Sequence, residues 1–180
     1  MKKEVVGYKC FNKDHTNRYG MEFVVGRTYT SASSDVSFGN NNKSGYHMCK
    51  NLEDTFRYFP ADSEEISVAR VRGSGNIITR DDEYNGFYDM YSVERLHIDK
   101  FLTREEIINY FLDKDITRVC RFIQLFKLTN EEINLYMNAF SSSETVINYI
   151  MYYQLGDKDI FNKSYKGDKQ IFEKTYKKEY

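Results

Sequence analysis

Hydrophobic and polar positions change rhythm near residue 101. Before it, apolar residues fall in short alternating runs broken by Gly, Asn and Ser, and after it they recur at three- and four-residue spacing. Val6, Tyr8 and Cys10 alternate with Gly7, Lys9 and Phe11, the pattern of a half-buried strand. Asn12 to Asn17 has turn chemistry, because Asn and Asp side chains bond nearby backbone and tolerate left-handed conformations. Met21 to Val25 and Arg27 to Thr30, split by Gly26, predict a bent strand or a hairpin. Ser33 to Ser44 is a polar loop, and Tyr46 to Cys49 a short strand after Gly45. Asn51 stands as an N-cap with Asp54 in the capping-box position. Leu52, Phe56 and Phe59 predict a two-turn helix that Pro60 helps to end. Glu65 to Arg72 alternates with a phase slip near Ala69, and Gly73-Ser74-Gly75 predicts a hairpin leading to Thr79. A last strand is expected over Val93 to Ile98.

The helical half carries an internal repeat. Leu102-Thr103-Arg104-Glu105-Glu106-Ile107 returns as Leu128-Thr129-Asn130-Glu131-Glu132-Ile133, and Tyr110 is echoed by Tyr136. Each copy is Thr-x-x-Glu before an apolar run, a capping box, and Ser141-Ser142-Ser143-Glu144 marks a third start with the same logic. Val119, Cys120, Ile123 and Phe126 lie on one face of the intervening segment. Two copies are too few for a solenoid, so about four short helices in a small bundle are expected. The predicted class is α+β. A mixed or antiparallel sheet with one short helix occupies 1–101, a helical bundle 102–155, and a polar, partly disordered tail 156–180.

Composition narrows the function classes. A formal net charge of −1 gives no electrostatic footprint for duplex nucleic acid. No apolar run reaches the roughly 18 residues of a membrane span, and the N-terminus is too polar for a signal segment. Cys10, Cys49 and Cys120 are too few for a disulfide framework, so a cytoplasmic compartment is expected. The 16 Tyr and 13 Phe, with many Asn, Lys and Ile, fit first the codon bias of an AT-rich genome and second an adaptable binding surface, and the two can coexist.

Three separated blocks carry a resemblance. Gly7-Tyr8-Lys9-x-Phe11-Asn12-Lys13-Asp14, Tyr19-Gly20-Met21-x-Phe23-x-Val25-Gly26-x-Thr28-Tyr29 and Gly45-Tyr46-His47-x-Cys49-x-Asn51-Leu52-x-Asp54 occur in order. Over residues of about 5 to 107 the chain resembles an uncharacterised domain family found in phage and prophage genomes. In that family the third block reads Gly-aromatic-His-x-Cys-x-Asn and leads into a helix ending in aromatics, here Phe56, Tyr58 and Phe59. The resemblance implies a phage or prophage accessory protein in a bacterial host cell and assigns no mechanism. Gly45, His47, Cys49, Asn51 and Tyr58 are expected to be structural members of the motif.

Catalytic chemistry finds little purchase. Cys10, His15, His47 and Cys49 are a zinc set by type but lack knuckle spacing, so no metal and no cofactor is expected. His47 and Cys49 lie two apart on a strand, a long reach for an activated thiolate pair. Arg27-Thr28-Tyr29-Thr30-Ser31 is similar to elements of ADP-ribosyltransferases, but no Glu-x-Glu pair exists in the chain. A nucleotide-handling enzyme of that kind and a structural phage component are therefore the alternatives. The favoured function is protein–protein binding that blocks a host complex, such as a defence system, in the manner of an anti-CRISPR. Tyr84, Phe87, Tyr88, Tyr91, Tyr152 and Tyr153 are the candidate binding residues, since many aromatics fall in polar segments. A homo-oligomer is compatible with the same features.

Overall fold

A computed structural model describes residues 4–32, 34–38, 45–57, 66–80 and 90–157. They form two compact units divided between Arg104 and Glu105. The first contains strands β1 (Glu4–Asn12), β2 (Thr28–Thr30), β3 (Tyr46–Cys49), β4 (Ile66–Arg80) and β5 (Met90–Leu102), with helix α1 (Leu52–Thr55) between β3 and β4. The second contains α2 (Arg104–Leu112, which starts at the boundary), α3 (Ile116–Leu125), α4 (Asn130–Ala139) and α5 (Glu144–Tyr149), the last continuing as a π-helical turn over Ile150–Gln154.

Among the described residues every strand pairing is antiparallel, which resolves the mixed-or-antiparallel alternative and leaves the class α+β. The sheet closes on itself. β3 joins β5 to β1, β1 pairs with β4, and β4 pairs back onto β5 along most of its length. β5 can close the ring because its thirteen residues pair with β4 on one edge and outrun both β2 and β3 on the other. Its edge carries β3 at Met90–Val93 and β2 at Arg95–His97, so β2 and β3 are two halves of one interrupted strand. Phe11, Phe23, Tyr29, Met48, Val71, Val93, Leu96 and Ile98 fill the interior. Burying that many large apolar side chains, at about 1.5–3 kcal/mol each, opposes the ordering cost of a small sheet.

Several local expectations are corrected. Gly73-Ser74-Gly75 is no hairpin: β4 runs straight through it, and the register slips between Ser74 and Ile77. Gly75 adopts φ +83° in this bulge, and a Cβ there would come within 2.5 Å of Glu94 Oε2. That carboxylate instead accepts the Asn76 amide at 2.9 Å. β4 keeps one phase through Ala69 and Val71, and the apparent slip near Ala69 arises because Val68, paired with Cys10, is buried on the opposite side; the second bulge, opposite Arg70 and Val71, lies on β5. On β1 the inward face carries Phe11 and not Val6, which is 47% exposed, while Cys10 is buried on the opposite side where Thr55 of α1 hydrogen-bonds it. Met21–Val25 is not a strand, contributing one isolated bridge, Thr16 with Glu22. Asn51 occupies the N-cap position, but its amide donates to Asp54 Oδ2 at 3.1 Å in place of capping the backbone. α1 is a single turn ending at Phe56, and Tyr58, Phe59, Pro60 and the tail beyond Asp157 lie outside the described residues.

In the helical unit the caps follow the repeat. Thr129 and Glu132 form a reciprocal capping box, whereas the third start falls two residues later than the Ser141-x-x-Glu144 spacing predicts, with Ser143 accepting from the Val146 amide. Asp115 caps α3 through Arg118 N. Phe111, Phe122 and Phe126 stack in series, and the buried Tyr136 hydroxyl donates to the Ile108 carbonyl at 2.7 Å. The π turn places Gln154 to bridge α3 and α4. Its amide donates to the Ile123 and Phe126 carbonyls and its oxygen accepts from Leu128 N, groups that helix ends leave without intrahelical partners.

Candidate functional site

The His47–Cys49 block is committed to architecture. Gly45 returns the chain to the edge of β5 with φ +78°, and a Cβ there would stand 2.7 Å from the Val93 carbonyl oxygen. His47 Nε2 bonds the Ser37 carbonyl at 2.9 Å, so that nitrogen carries the proton, and Phe38 packs on the ring. Burial holds the imidazole below its usual value, which keeps it neutral. Past the Tyr8–Cys49 pair, β1 and β3 have no further partners in register, and Lys9 Nζ spans the opening to the His47 carbonyl at 2.7 Å. Burial lowers the Lys9 ammonium and pushes the Cys10 thiol up to about 12 and the Cys49 thiol higher still. Neither thiol is a ready nucleophile, because thiolate is the reactive form.

His15 does not join these groups, as its ring stacks on Phe101 at 3.6 Å. Among the described residues no group of three His, Cys, Asp or Glu side chains is placed to hold a metal ion. Cys10, Cys49 and Cys120 are all free and buried. The native protein at pH 8 should therefore react slowly with a thiol-exchange reagent, and the unfolded chain should titrate all three. Because the folded values lie above the ordinary 9.0, stability is intact below pH 9 and falls as pH rises toward about 12. A Cys10→Ala, Cys49→Ala chain should show a shallower loss over that window in urea melts. Fast modification of native Cys49 would contradict this account.

A different surface stands out between β1 and β2. Residues 13–27 have no extended secondary structure, yet side chains tie them densely. Asn12 Nδ2 donates to Thr16 Oγ1 at 2.9 Å and to the Asn17 carbonyl at 3.3 Å. Thr16 gives its hydroxyl and amide to Asp14, and those bonds hold the Asp14 carboxyl below its usual range. Asn17 Oδ1 accepts from both Tyr19 N and Met21 N, at 2.9 and 3.0 Å. Phe23 anchors the loop between Phe11 and Tyr29, and Val24 N donates to the Tyr29 hydroxyl at 2.8 Å. The arrangement leaves Tyr19 70%, Val25 52%, Val24 46% and Met21 39% exposed, with the Arg18 guanidinium 4.8 Å over the Tyr19 ring. Apolar tips on a loop already ordered are what a binding surface needs, since little ordering entropy remains to be lost on docking.

The comparisons with known proteins bear on this same region. The profile of a domain of unknown function, DUF7666, matches residues 5–109. The chain belongs to this family. The match takes in all five strands, α1, the 13–27 loop and the start of α2. No curated protein and no solved structure matches the chain.

Of the aromatics singled out from sequence, Tyr91 belongs to the family domain. It is half-buried against the interior, with Lys50 Nζ 5.3 Å over its ring. Tyr152 and Tyr153 lie in the π turn, half-buried and edge-on to each other at 4.8 Å. Tyr84, Phe87 and Tyr88 lie outside the described residues. The sequence reading missed Tyr19, because Met21-x-Phe23-Val24-Val25 reads as a strand. The available signal was Asn17 followed by Gly20, two turn residues around an aromatic.

No helix among the described residues is long and apolar enough to cross a membrane.

Proposed function

We propose that this protein works by binding another protein, and that the 13–27 loop is its docking surface. The observation that carries the reading is the pre-ordered loop displaying Tyr19, Met21, Val24 and Val25 to solvent. Several exposed apolar side chains carried on one fixed loop are a feature of interaction sites. Tyr beside Arg is also the composition of interface hot spots. The neutral, occupied His47 and the buried thiols support a structural role for the family motif. The finer reading is that of a phage or prophage accessory protein acting in the host cytoplasm, where it covers a working face of a defence complex. This finer reading rests on the resemblance drawn from the three sequence blocks.

Expression in a bacterium that restricts phage should restore plaque formation if the occlusion reading holds. Tyr19→Ala and Val25→Ala should each weaken partner binding by about 2 kcal/mol or more at unchanged melting temperature. His47→Ala should act through stability alone, since it releases Ser37. The opposite pattern, activity lost at His47 with fold and binding intact, would overturn the proposal. So would turnover of a nucleotide at substoichiometric protein.

A further inference from the structure

The outer face of the sheet carries a line of polar groups that neither the core nor the docking loop uses. His97 on β5 sits opposite Thr28 of β2 on one side and opposite Arg72 of β4 on the other. Thr28 Oγ1 and His97 Nδ1 are 2.8 Å apart. His97 Nε2 is 3.7 Å from Asp99 Oδ1, and Arg72 Nε donates to that same oxygen at 2.7 Å. Arg72 is held from its other end by Glu4 of β1 at 3.1 Å. The β-bulge opposite Arg70 and Val71 makes Asp99 the extra residue on β5, with no partner in register. Thr28, Asp99, Arg72 and Glu4 are thus the groups that face the imidazole or fix what faces it.

The order of these groups has a chemical meaning. Asp99 Oδ1, already bonded to Arg72, lies beyond hydrogen-bond reach of Nε2 and faces it as a nearby negative charge, while Nδ1 is within reach of the Thr28 hydroxyl. Hydroxyl, imidazole and carboxylate then stand in the sequence used to activate an oxygen nucleophile, recognised by role and not by chain position. Thr28 is exposed at the edge of the sheet, and the His97 and Asp99 side chains are 26% and 21% exposed, so an incoming group can reach the oxygen.

We propose that Thr28 is a nucleophilic hydroxyl that accepts an acyl group from an activated ester or thioester. His97 is its general base, with Asp99 and Arg72 as positioning residues. In the step, Thr28 Oγ bonds to the carbonyl carbon while its proton passes to His97 Nδ1. The tetrahedral adduct then expels the alcohol or thiol, which departs with that proton. One C–O bond forms, one C–O or C–S bond breaks, and nothing is oxidised or reduced.

The test uses the full chain with p-nitrophenyl acetate. Nitrophenolate release should show a burst of about one equivalent, with the acetyl group mapped to Thr28 by peptide mass spectrometry. His97→Gln should slow the release about 10²-fold, Thr28→Val should abolish the Thr28 label, and Thr28→Ser should keep it. Asp99→Asn should displace the pH profile at unchanged melting temperature, which loss of a mere surface contact would not do. Acetyl found only on lysines, or on Thr28 at an equal rate in folded His97→Gln protein, would overturn the assignment. If His97→Gln fails to fold, the Thr28→Val and Thr28→Ser pair decides by the same label.

Discussion

Gly7→Ala is expected to destabilise the sheet unit by about 3 kcal/mol, the upper range for overpacking. A Cβ at position 7 would collide with the Cys49 carbonyl oxygen and lie 2.7 Å from Met48 Cε. The first is backbone, so it cannot rotate away. Relief requires β1 and β3 to separate where Tyr8 meets Cys49, the single register pair that joins them. Opening that pair breaks the ring and exposes Met48 and Phe11, both buried in the interior. Urea denaturation followed by far-ultraviolet circular dichroism measures the loss. The neighbouring Val6→Ala, at a position 47% exposed, should change stability by less than about 0.5 kcal/mol. Equal effects at the two positions would mean that the closure contributes little.

Phe122→Ala should cost the helical unit about 3–5 kcal/mol, the range for removing a buried aromatic ring. Phe122 is fully buried and stacks on Phe111 at 4.0 Å and Phe126 at 4.9 Å, with Tyr136 at 6.0 Å. Three of those rings lose a face at once, and the surrounding helices can collapse only partly into the space. Leu135→Ala, on the exposed side of α4, is the control and should shift the denaturation midpoint little. Near-ultraviolet circular dichroism gives a second readout, because the stacked rings report directly on packing.

The two units differ in how much of them could be read along the chain. In the helical unit, contacts are local. Thr129 and Glu132 are three residues apart, as are Ser143 and Val146, so the capping signals are complete within one turn. The apolar face of α3 follows from spacing alone, since a helix repeats itself every 3.6 residues. Gln154 was not legible. Its partners at Ile123, Phe126 and Leu128 lie 26 or more residues away, and a glutamine in an aromatic segment carries no mark of such a role.

In the sheet unit, alternation determined that strands exist, and composition determined that turns fall at Asn12 to Asn17 and near Gly45. Which face is inside was decided by tertiary structure. α1 covers the outer side of Cys10, so both faces of β1 are buried near its end and the period-2 signal loses its meaning. Gly73 to Gly75 shows the same limit. A glycine run serves a hairpin or a bulge equally well, and the length of β5 alongside makes the chain continue. The Thr28–His97–Asp99 line depends on pairings between residues about 70 positions apart, whereas the bonds that fix the Tyr19 loop are local. Local sequence sets the backbone conformations a segment can adopt. Closure of the ring selects among them, because only one set of pairings buries Phe11, Met48 and Val93 together while satisfying the strand edges.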